Sequence, residues 1–100
     1  MEILSETSPA VDLKHGHIVV GVEAVPLSHS FTIRRGVLVR AANENTANIY
    51  IGLGPHVRTS GAEGGLPLTP GTSLHIPVDD PSALYVISTD TDQDLAWMAV

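Results

Sequence analysis

One hundred residues give room for one domain and one core, with 43% of the chain hydrophobic and only 16% charged, against a typical ~25% charged. Eleven acidic residues against five basic ones, a net charge of −6, argue against nucleic acid, whose binding needs many Lys and Arg side chains on phosphates. The chain has no cysteine, which excludes disulfides and thiolate zinc sites, and no apolar run approaches the ~18 residues of a membrane helix.

Residues 1–8 carry Glu2 and Glu6 and no basic residue. No signal-peptide pattern is visible, so synthesis in a cytosol without secretory export is expected. Residues 1–9 read as an N-terminal arm whose large apolar side chains are Ile3 and Leu4. Residues 10–100 then form a single domain. Gly and Pro, 9 and 7 in number over the whole chain, recur along it. The runs between them are short, apolar and often β-branched, which favours strands over helices.

In chain order, residues 17–23 alternate so that Ile18, Val20 and Val22 share a face, and residues 30–34 place Phe31 and Ile33 together. The clearest strand is 36–42 (GVLVRAA), with Val37, Val39 and Ala41 on one face and Leu38 and Arg40 on the other. After the polar residues 43–46 the chain returns as 48–51, and the two are expected to pair as an antiparallel hairpin. A very short strand is expected at 56–58, followed by a loose, glycine-rich loop at 60–65. Pro70 and Gly71 suit the centre of a type II turn. The next strand, 73–78, puts Leu74, Ile76 and Val78 together, and Pro77, which lacks a ladder donor, places it at a sheet edge or ends it there. Strands at 83–88 and 95–100 complete the chain.

The expected fold is therefore all-β: a β-sandwich or jelly roll of about seven to eight short antiparallel strands. Its core is expected from Val37, Val39, Ile49, Ile51, Ile76, Val86 and Trp97.

Candidate chemistry is thin. His15 and His17 are two apart on a strand and so share a face, but a closed metal site needs further ligands that the sequence does not name. Two solvated histidines are the better interpretation. Residues 90–94 (DTDQD) begin like a calcium loop, yet Leu95 stands where that loop requires glycine. An acidic turn is expected instead. There is no Gly-x-Ser-x-Gly elbow and no phosphate loop, so no catalytic or cofactor-binding residue is assigned and an enzyme is not expected. The Arg34–Arg35 pair is a candidate for clamping carboxylates of a partner.

The runs 35–41 (RGVLVRA), 48–52 (NIYIG) and 65–86 (GLPLTPGTSLHIPVDDPSALYV) resemble small β-sandwich virion proteins of tailed bacteriophages. The resemblance covers roughly residues 35–100 and carries no functional residue, so no site transfers. It implies a structural virion protein, made in the host cytoplasm. Its role would be capsid decoration or cement, in a homo-oligomer, expected as a trimer, bound to the major capsid protein or another virion protein. The alternatives are a tail or baseplate accessory and a carbohydrate- or receptor-binding module. The last is disfavoured by a total of one Trp, two Tyr and one Phe. Candidate interface residues are Ile3, Leu4, Arg34 and Arg35.

Overall fold

The computed structural model describes residues 14–61 and 64–100. The arm at residues 1–9, with Ile3 and Leu4, lies outside the described residues. Alternating sequence becomes strand wherever one face can be buried. The strands are β1 (His15–Val20), β2 (Val25–Pro26), β3 (Val37–Ala41) and β4 (Ile49–Leu53), then β5 (Leu66–Leu68), β6 (Ser73–Ile76), β7 (Leu84–Ser88) and β8 (Gln93–Ala99). A 3₁₀ turn, Pro81–Ala83, stands before β7, started by Asp80, whose carboxylate accepts the Ser82 N–H.

Two four-stranded sheets result, ordered β1-β8-β3-β6 and β2-β7-β4-β5. Every pairing is antiparallel. The pairs β1–β8, β2–β7, β3–β6 and β4–β5 are nested, so the chain runs out as four strands and returns as four. Rolling that long hairpin brings β8 beside β3 and β7 beside β4. This is the jelly-roll form of a β-sandwich.

The core lies between the sheets. On β3, Val37, Val39 and Ala41 are fully buried, while Leu38 and Arg40 between them are exposed. Ile49 and Ile51 of β4 and Val86 of β7 meet them from the other layer. Burying each such aliphatic side chain contributes roughly 1.5–3 kcal/mol, which is what holds two thin sheets together. Ile76 and Trp97 are half-buried and pack against this core rather than inside it. Trp97 stands opposite Gly16, which has no side chain to cover it, and its ring tilts against Phe31 at 5.9 Å.

Several expectations are corrected. Residues 36–42 and 48–51 do not form a hairpin: β3 and β4 lie in different sheets. Both strands bury a face in the same core, and the connecting loop spans the gap between layers instead of reversing within one. That loop is fastened to β8, because buried Gln93 accepts the N–H groups of Thr46 and Ala47 at 2.9 and 3.0 Å. The β4 strand pairs instead with β5, so the glycine-rich loop before β5 is the tip of the long hairpin.

Residues 30–34 are not a strand. They cross between sheets, with Ile33 buried and its N–H donated to the Asp79 carbonyl at 2.8 Å. Residues 56–58 give only an isolated bridge from Arg58 to Gly64. The edge assignment of β6 holds, and so does the turn before it. There Gly71 has φ +84°, and the Thr72 N–H donates to the Thr69 carbonyl at 3.1 Å.

Candidate binding surface

Alternation along β1, β8, β3 and β6 sends every second side chain away from the core, and the registers align these in rows. One row runs His15, Met98, Leu38, His75, and the next His17, Ala96, Arg40, Ser73. Beyond them Val19 stands opposite Asp94. Leu38, Met98 and Val19 are 40%, 45% and 54% exposed, which is costly for aliphatic groups left in water. A shallow groove of about 250 Å³ lies among His15, Leu38, Arg40 and Met98. The face thus has an apolar centre, and it sets one arginine and three histidines against one aspartate on a chain of net charge −6.

The other sheet is different. Ile87 and Val57 are buried, yet they lie outside the main core cluster. Val57 seats on Gly52 and Gly65 so closely that a Cβ on either would come within 2.7 or 2.8 Å of its Cγ2. The loop between β4 and β5 therefore packs down on the outer side of that sheet. The first sheet has no such cover among the described residues.

His15 and His17 do share one outward face, and both are exposed. Across the ladder they meet Met98 and Ala96, which add neither an imidazole nor a carboxylate. The third imidazole of the face, His75, is three strand spacings away, roughly 14 Å. Among the described residues no three His, Cys, Asp or Glu side chains form a group that would hold a metal ion.

In the 90–94 loop, Asp90 accepts the Thr91 N–H at 2.8 Å and the Thr46 hydroxyl at 3.4 Å. Asp92 takes φ 60°, and the Asp94 N–H donates to Asn45 Oδ1 at 2.8 Å. These contacts build the turn into β8 and fasten the 43–46 loop to it. Arg34 and Arg35 are exposed at the approach to β3, and the Arg35 N–H donates to the Val100 carbonyl at 3.0 Å.

The Asp80 carboxyl is held below its ordinary pKa. The Ser30 hydroxyl, donating at 2.6 Å, lowers it most, followed by the N–H and hydroxyl of Ser82, both at 2.9 Å. The arrangement ties the crossing segment to the 3₁₀ turn and is structural.

Sequence reasoning named neither Leu38, Met98 and Val19 as one surface nor Gln93 as a buried anchor. The outward placement of Leu38 and Arg40 was legible in the alternation of β3. Their neighbours on β1, β6 and β8 depend on strand order, which no local pattern encodes.

The fold and this face together define a jelly-roll module with one unclad sheet surface. No protein-family model, curated protein or solved structure matches the chain.

Proposed function

We propose that this protein is a structural, binding protein, and specifically a virion accessory protein of the tailed-phage kind that decorates and stabilises an assembled shell. The observation that carries the proposal is the unclad outer face of the first sheet, where Leu38, Met98 and Val19 remain exposed side by side on neighbouring strands. Such a patch, rimmed by polar groups, suits contact with another protein. The resemblance of residues 35–100 to phage virion proteins supplies the class of partner. Viral coat domains use the same architecture, an analogy that raises the reading without assigning a site. A module that binds only the assembled shell stabilises it by mass action.

The test is co-sedimentation of the purified chain with tail-less heads and, separately, with isolated tails. Head binding that is lost in the Leu38→Ser/Met98→Ser double variant, with its melting curve preserved, supports capsid decoration. Binding to tails alone moves the protein to the tail or baseplate. Binding to neither, or binding indifferent to the double variant, overturns the proposal.

A further inference from the structure

Two four-stranded sheets have four edges, and among the described residues the edges are β1 and β6 in one sheet and β2 and β5 in the other. Edge strands offer unpaired backbone groups to any passing strand, and proteins blunt them with shortness, proline or charge. Three of these edges are blunted. Strand β2 has two residues, one of them Pro26; β5 has three, with Pro67 in the middle; β6 runs directly into Pro77. The β1 edge is six residues long, HGHIVV, with neither proline nor a permanently charged side chain. The chain's single lysine, Lys14, lies just before it but holds its Nζ over the Phe31 ring, 4.9 Å from the centroid.

Which backbone groups of β1 are free follows from the ladder. The Ala99 N–H donates to the Lys14 carbonyl at 2.7 Å. Ala42 and Val100 N–H groups reach the Asp94 and Gly36 carbonyls, so the even residues of β8 turn to β3 and the odd ones to β1. Hydrogen-bonded pairs alternate along an antiparallel ladder. Gly16, Ile18 and Val20 therefore direct their N–H and C=O groups to β8, opposite Trp97, Leu95 and Gln93. His15, His17 and Val19 direct theirs to the open side.

We infer that β1 pairs antiparallel with β1 of a second copy, about a two-fold axis at His17. In that register His17 faces His17 of the second copy, and His15 and Val19 face each other twice. All three outward N–H groups and all three outward carbonyls are then used, in three hydrogen-bonded pairs. A shift of one residue would oppose outward groups with inward ones and leave them unmet. The pairing joins two first sheets into one eight-stranded sheet, and it carries the apolar outer face across the junction through Val19, 54% exposed in the single chain. A two-fold contact of this kind is isologous and closed, so it yields a dimer and not a fibre. It departs from the threefold assembly that the sequence resemblance implies, and it does not depend on what the outer face binds.

The absence of cysteine makes the register directly testable in the full-length chain. Cα atoms of a hydrogen-bonded antiparallel pair lie about 5.5 Å apart, within disulfide range. Single His17→Cys chains are thus expected to form disulfide-linked dimers on mild oxidation. Val19→Cys chains are not, because the two copies of residue 19 stand roughly 13 Å apart in this register. Sedimentation equilibrium of the unmodified chain is expected to show a dimer. His17→Pro, which removes an N–H aimed at the open side, is expected to weaken that dimer roughly tenfold or more. If His17→Pro unfolds, the cysteine variants still decide. A monomeric wild-type chain overturns the inference and leaves the edge to another occupant, such as residues 1–13 of the same chain. A dimer in which residue 17 does not cross-link, or residue 19 cross-links as well, also overturns it.

Discussion

Ile49 and Leu53 lie on the same strand and point to the same side of it, four residues apart, yet one is fully buried and the other 75% exposed. Replacing each by alanine therefore tests where the core ends. Ile49 is flanked on its inner face by Leu68 of β5 and Ser88 of β7, both buried. Its neighbours are held by ladders on both sides, so a cavity at residue 49 has little room to collapse. Truncations of buried Ile or Leu cost about 2–5 kcal/mol, more where collapse is hindered, so ~3–4 kcal/mol is expected for Ile49→Ala. That is a large share of the ~5–15 kcal/mol typical of a domain's stability, and it corresponds to a melting temperature lower by roughly 12–30 °C. Leu53→Ala removes little contact and is expected to stay within ~0.5 kcal/mol. Urea unfolding of the two variants beside the parent measures both. Equal midpoints for Ile49→Ala and the parent would refute the packing described, as would a loss in Leu53→Ala as large as that in Ile49→Ala.

Three further outcomes are expected. Gly36 has φ +129°, and a Cβ there would sit 2.2 Å from the Ile76 carbonyl oxygen, so Gly36→Ala should cost more than ~2 kcal/mol in the same urea assay. Gln93→Ala leaves the N–H groups of Thr46 and Ala47 without their acceptor, and an expected loss of ~1–3 kcal/mol should come with faster hydrogen exchange at those two amides. Asp80 is held below its ordinary pKa of 3.8 by Ser30 and then Ser82, so its contribution is complete above that value. As pH falls from about 4 toward the lowered folded value, that contribution is lost. Melting curves for Asp80→Asn between pH 7 and 2 should show a shallower acid decline than the parent's.

The layered β architecture was legible because alternation is local. Val37, Val39 and Ala41 announce a half-buried strand from their spacing alone, and Pro70 and Gly71 announce their turn. Pairing was not legible to the same degree. A polar loop between two alternating strands fits a hairpin within a sheet and a bridge between sheets equally well. What separates them here is Gln93, some 45 residues further on, anchoring the loop from β8. Likewise Trp97 shares a face with Leu95 and Ala99, which suggests full burial, but its cover depends on the residue opposite. That residue is Gly16, so the ring is left half-covered.

The roll also explains why the proposed binding face appears in no contiguous motif. Its side chains come from residues 15–19, 38–40, 73–75 and 94–98, which meet only when β8 has closed between β1 and β3. Closing β8 against β1 joins segments about 80 residues apart, a non-local step that is slow and entropically costly. A surface completed by that step exists only in the folded chain, so a partner that binds it draws the equilibrium toward the closed roll. The two sheets serve this unequally. The loop from β4 to β5 covers one outer face with Val57, while the other keeps Leu38, Met98 and Val19 exposed beside β1, an edge strand among the described residues. A single asymmetry of cover thus places the apolar face and the open strand on the same sheet. Self-pairing at β1 would then double the width of the face offered to a partner.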